Sequence, residues 1–151
     1  MPFLLRLLHV LSMAAWLGAA IYVPGDVRRT LALGPPHTVP LLARVRAALR
    51  LDLAAGVATV LTGVLLASPL GQVGGIGAGV IVGTLLGLLL LGLVAGVLMP
   101  AWKKIELAIE SGGGTAGTEG AVKRLAALGG VAHLIWLLAL VAMLWAAHGF
   151  A

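Results

Sequence analysis

Four runs of about twenty apolar residues, separated by short polar stretches, limit what this chain can fold into. They cover roughly residues 2–23, 47–67, 77–99 and 125–147 of the 151. A twenty-residue helix rises about 30 Å, the thickness of a bilayer's hydrocarbon. Runs this long lack the alternation of a barrel strand, and a backbone in lipid must satisfy its own hydrogen bonds, so the expected element is the helix. The sequence reads as all-α, an integral membrane four-helix bundle forming a single membrane domain over residues 1–151. Only 10% of residues are charged and 61% are hydrophobic, against about 25% charged in soluble domains. There are no cysteines, which removes disulfides, thiolate metal sites, iron–sulfur clusters and cysteine nucleophiles. The first run exceeds the roughly 7–15 residues of a signal-peptide core and reads as a retained span.

Pro24–Gly25, Ser68–Pro69 and Pro100 read as span ends. Loop one then runs from Gly25 to about Arg46, and Pro35, Pro36 and Pro40 predict an extended middle. Loop two, "GQVGGIGAG", is short and glycine-rich, and "SGGGTAGTEG" in loop three reads as a flexible linker. "AWKKIELAIESG" reads as an amphipathic extension lying at the membrane surface, with Trp102 and Trp145 as interface anchors. Arg28, Arg29, Arg44, Arg46, Arg50, Lys103, Lys104, Lys123 and Arg124 all fall on the side of loops one and three, and only Arg6 on the other. The positive-inside rule then places both termini outside and the two basic loops in the cytoplasm, for a multi-pass protein of a bacterial-type inner (plasma) membrane. The net charge of +5 follows from those loops. Nucleic acid is not an expected partner, because the basic loops lack interleaved aromatics.

The expected partner is the lipid bilayer, with other membrane subunits or a homo-oligomer as further candidates. Gly79, Gly83 and Gly87, continued by Gly92 and Gly96, and Ala55, Thr59 and Gly63 in span two, are spaced for close helix packing.

Ionisable groups inside lipid are costly and point to function. At 100° per residue His9, Ser12, Met13, Trp16 and Ala20 form one stripe, with Arg6 on its edge. His133, Trp136, Leu137 and Leu140 form another in span four, with Ala147 further along and His148 on its edge. Two imidazoles can clamp a haem iron, and small and aromatic neighbours can wall the ring. His9 and His133 are the candidate metal ligands, and Trp16 is a candidate cofactor wall. Their depths differ by about 9 Å, counted from the span ends, whereas two imidazole nitrogens on one iron lie about 4 Å apart. His9 is therefore the stronger candidate, and its partner is open. His37 and His148 read as loop and interfacial residues. Asp52, near Arg50, reads as a local ion pair, as a bond to a basic loop, or as part of a proton or ion route. No serine–histidine–acid set, zincin motif or phosphate-binding loop is present.

The stretch "LLHVLSMAAWLGAAIYVP", with His9, Trp16 and Gly18, resembles the first helix of several small membrane families. These are the membrane domain of copper-resistance protein D, an uncharacterised family of four-helix membrane proteins, and the haem-binding protoporphyrinogen IX oxidases. "LRLDLAAGVATVLTGVLLA", with Asp52, Thr62 and Gly63, is similar to their second helix, and "LMPAWKKIELAIESG", with Lys103 and Lys104, to the end of their third. The resemblance implies haem b at His9 and a role for Lys104. The oxidases usually carry a histidine near the start of the third helix, where this chain has Thr84 among glycines. Function is thus expected to be b-type haem binding for electron transfer or haem-linked oxidation. A non-catalytic accessory subunit and a copper-handling protein are the alternatives, and catalytic residues are unassigned.

Overall fold

A computed structural model describes residues 2–68, 77–112 and 117–147. Among them there are four long helices and no strand. These are α1 (Pro2–Leu33), α2 (Thr38–Ala67), α3 (Ala78–Glu110) and α4 (Glu119–Ala147). All four are long and apolar enough to cross a membrane, as a multi-pass protein requires. His148, most of loop two and the middle of loop three lie outside the described residues.

Cross-helix contacts give the arrangement. His9 meets Thr62 and Ser12 meets Thr59 at one end of the α1–α2 pair, and Asp26 meets Arg44 at the other, so the two run antiparallel. Gly56 and Val60 of α2 face Leu91 and Gly87 of α3, again in opposite order. Gly83 of α3 faces Met143 of α4, and Gly129 of α4 faces Pro24 of α1, closing the ring. One end of the bundle carries the start of α1, with Arg6, and the end of α4; the other carries the remaining basic residues of the helices.

The helices are longer than the apolar runs, and the prolines account for the difference. At 32 and 30 residues, α1 and α2 are each about 45 Å long, roughly ten residues more than the hydrocarbon needs. Pro24 does not stop α1, which continues to Leu33. A missing N–H costs one ladder bond, which a packed neighbour helix can offset, and here the ring rests on Gly129, where a Cβ would lie 2.8 Å from Pro24 Cγ. The long extended loop one is replaced by a turn at Gly34–His37. Gly34 takes a left-handed φ of 68°, Pro35 and Pro36 sit in the turn, and Pro40 falls in the first turn of α2, where its N–H is not needed. Pro100 does not stop the third helix either. A π-turn at Val94–Leu98, in which the Met99 N–H reaches the Val94 carbonyl, precedes it and shifts the ladder by one residue.

These extensions form a second, basic-end core. Val27, Leu41, Val45, Ile105 and Leu125 are almost fully buried there. "AWKKIELAIESG" continues α3 rather than forming a separate helix, with Lys103, Lys104 and Leu107 exposed. Its apolar stripe packs inward, and Trp102, expected as an interface anchor, is 3% exposed. Trp145 is exposed. Charge clothes this core. Arg44 holds Asp26 at 3.0 Å, Arg46 bridges to Glu106 and Glu110, and Lys103 reaches Glu106 at 2.8 Å. The middle of the bundle has its own cluster of Trp16, Ala55, Leu90, Ala132 and Trp136.

Three helices meet at Gly56. A Cβ there would lie 2.7 Å from Leu91 Cδ2 and 2.8 Å from Trp16 Cε2. Overpacking of this kind costs about 1–3 kcal/mol. Gly56→Ala should lower the midpoint of thermal unfolding in detergent. Gly92→Ala, which meets nothing within 4 Å, should leave it unchanged or slightly raised. Equal midpoints for the two variants would contradict the packing described.

Candidate functional site

Hydroxyls of α2 meet the polar stripe of α1 in the terminal half of the bundle. Ser12 donates to the His9 carbonyl at 3.0 Å, and its oxygen lies 3.1 Å from the hydroxyl of Thr59, which also reaches the Ala55 carbonyl at 2.8 Å. Thr62, one helical turn on, donates its single proton to the Ala58 carbonyl at 2.6 Å. The same oxygen stands 2.9 Å from His9 Nδ1. With its proton committed, Thr62 accepts there, so His9 donates through Nδ1–H. A neutral imidazole carries one N–H, and Nε2 is left with its lone pair. Second-shell bonds of this kind fix the tautomer of histidines that bind metals. The ring edge lies on bare backbone, since a Cβ at Gly63 would be 3.1 Å from His9 Cε1.

His9 opens on a cavity of about 40 Å³ that Met13, Thr59, Gly83, Thr84, Trp136 and Met143 also line. A second cavity, of about 30 Å³, lies towards the basic end and is lined by Asp52, His133, Pro24, Val94 and Leu98 among others. Trp16, Leu90 and Trp136 line both, forming a layer between them. His9 and His133 thus open on different cavities and cannot share an iron in this packing, which removes the bis-imidazole pairing. Lys104 is exposed at the basic end and lines neither cavity. Trp16, 4% exposed, walls both.

A haem does not fit the residues present. Sites for ligands of drug size occupy about 300–1,000 Å³, and the His9 cavity is far smaller, with its walls fixed by helix contacts at Gly63, Gly83 and Gly87. Among the described residues, no group of three or more His, Cys, Asp or Glu side chains could hold a metal ion. The His9 cavity nevertheless brings one imidazole together with two thioethers, Met13 one turn along α1 and Met143 from α4. In comparisons with known proteins, the chain matches no family model, no curated protein and no solved structure.

Sequence reasoning missed Met143 and the role of Thr62. Met143 follows His133, Trp136 and Leu140 at helical spacing and was legible as part of that stripe. Leu137, assigned to the stripe, is instead 54% exposed. Asp52 is 3% exposed and makes no ion pair with Arg50; its neighbours are the apolar walls of the second cavity.

The tautomer is directly testable. Nitrogen-15 spectra of histidine-labelled protein should show His9 protonated at Nδ1 and bare at Nε2. Thr62→Val should move it towards the Nε2–H form. A wild-type His9 protonated at Nε2 would refute the assigned hydrogen bond.

Proposed function

We propose that this membrane protein binds a soft monovalent metal ion, copper(I), in the cavity shared by His9, Met13 and Met143. The observation that carries the reading is the convergence of those three side chains on one cavity. Thioethers are soft donors that select copper(I), and imidazole suits copper as well. His9 and Met13 stand four residues apart on one helix face, and Met143 approaches from α4. A cavity of about 40 Å³ suits an ion, given that a water's share of liquid volume is about 30 Å³. All three donors are neutral, so the ion would be held by lone pairs rather than by an opposite charge. Met99 packs against the basic-end core, so the reading is of one binding site rather than a relay of sulfurs along the bundle.

The positive-inside rule supports an orientation with the basic end in the cytoplasm and the termini outside, in a plasma membrane of bacterial type. The site would then lie in the outer half of the bilayer, and copper-handling at that face is the proposed role. The likeness to copper-resistance membrane domains accords with it.

The test is an anaerobic titration of nanodisc-embedded protein with copper(I) in competition with a chromophoric chelator. One ion per chain is expected. His9→Ala and the volume-conserving Met143→Leu should each weaken binding at least tenfold, about 1.4 kcal/mol. Failure of the folded wild type to compete would overturn the reading. A Soret band in purified protein that vanishes in His9→Ala would replace it with the b-type haem reading. Co-purification with a larger complex and no metal would favour an accessory subunit.

A further inference from the structure

The second cavity contains chemistry that copper binding does not use. Two buried side-chain atoms on its walls, Asp52 Oδ1 and His133 Nε2, have no hydrogen-bond partner. The Asp52 residue is 97% buried. A buried polar atom left unpaired costs about 1–3 kcal/mol, and more if it is charged, so two facing one cavity call for a shared partner. The two residues come from α2 and α4, both of which start at the basic end. Each stands fourteen residues beyond its helix start, Thr38 or Glu119, about 21 Å along the axis. They are therefore level with one another.

The backbone adds a third polar group at the same level. Ala20 and Pro24 both line this cavity. Pro24 has no N–H to give to the Ala20 carbonyl, so that oxygen loses its ladder partner. On the facing helix, Val94 and Leu98, the two ends of the π-turn, line it as well. Such turns are frequent at functional sites. The remaining walls are mainly apolar, including Trp16, Leu49, Leu90 and Ala132. A water needs two to four polar partners and about 10–15 Å³ of such volume, and this cavity offers about 30 Å³.

We infer that Asp52 and His133 form an intramembrane proton-binding site, in which one water bridges the carboxyl and the imidazole and the pair shares a single proton. With the proton on the imidazole, His133 Nε2–H donates to the water, which donates to Asp52 Oδ1 and the Ala20 carbonyl; with the proton on the carboxyl, Asp52 donates to the water, which donates to His133 Nε2 and the Ala20 carbonyl. The proton moves between carboxyl and imidazole through the water, and the net charge of the pair stays at zero. Of the lining residues, α1 and α3 contribute none that titrates, and Asp52 from α2 and His133 from α4 are the titratable groups on the cavity wall. Arg50, near Asp52 in sequence, is exposed. The site is separate from the copper cavity, across the Trp16–Leu90–Trp136 layer.

The experiment uses the full chain in nanodiscs, labelled at aspartate and histidine. Only Asp26 and Asp52 supply aspartate signals. Infrared titration should show a protonated-carboxyl stretch that is lost in Asp52→Asn. In the same variant, the nitrogen-15 resonance of His133 Nε2 should move, because the group across the water is replaced. In His133→Gln, the Asp52 carboxyl stretch should shift in frequency. Wild-type protein should show water-to-His133 magnetisation transfer. Signals that stay put in the folded variants would overturn the proposal. If both variants fail to fold, the absence of water transfer to His133 in wild type would overturn it.

Discussion

The indole of Trp16 lying on the bare backbone of Gly56 is the contact on which the interior depends. It brings α1 against α2 and, through Leu91, α3 against both. In lipid, apolar side chains gain little by leaving the surrounding tails, so helices associate through close packing at small residues. Gly56, Gly63, Gly83, Gly87 and Gly129 each receive a side chain from a neighbouring helix. With Trp16 fixed in this way, its ring joins Leu90 and Trp136 as a layer across the bundle. That layer divides the interior into two small cavities instead of one large one.

Helix length and proline placement then set what lies on each side of the layer. Because α1 and α3 continue past Pro24 and Pro100, an apolar core forms at the basic end, with Ile105 and Val45 fully buried in it. The bundle is therefore anchored by ordinary apolar burial at one end and by glycine contacts in the middle. The continuity is achieved with local faults. Pro24 leaves a carbonyl without its donor, and the π-turn before Pro100 shifts the ladder. Both faults border the cavity of Asp52 and His133, where polar groups can compensate for what the helices give up.

Much of this was legible in the residues. Four apolar runs specified four helices, because lipid leaves the backbone few alternatives. The His9, Ser12, Trp16 stripe followed from helical period alone, and Ser12 and Trp16 are buried. The helix ends were not legible, because a proline's local cost is visible in sequence while the glycine that accommodates it, Gly129, lies a hundred residues away. Trp102 misled for a similar reason. Beside paired lysines it reads as an interface residue, and only the inward packing of the whole extension explains its burial. The depth of His133 was read from span ends, and the mismatch with His9 left the partner of His9 open; in the structure the two line different cavities. What occupies the space opposite His9 depended on α4's rotation, and one misassigned residue, Leu137, turned that stripe away from Met143.

The two cavities differ in the kind of occupant they can hold. Around His9 every polar partner is neutral, and Thr62 and Ser12 spend their protons on backbone carbonyls. The bare Nε2 of His9 and the two thioethers offer lone pairs, which suits the soft cation proposed for that cavity. The Asp52 cavity is lined by an acid and a base, and any net charge would stand in a medium where burying it is expensive. That arrangement favours an occupant which lets the pair remain neutral overall, and a proton is the smallest that does so. The tryptophan layer would keep these two proposed chemistries apart within one bundle. A carboxylate on the His9 side would draw harder cations, and a thioether on the Asp52 side could neither accept nor return a proton.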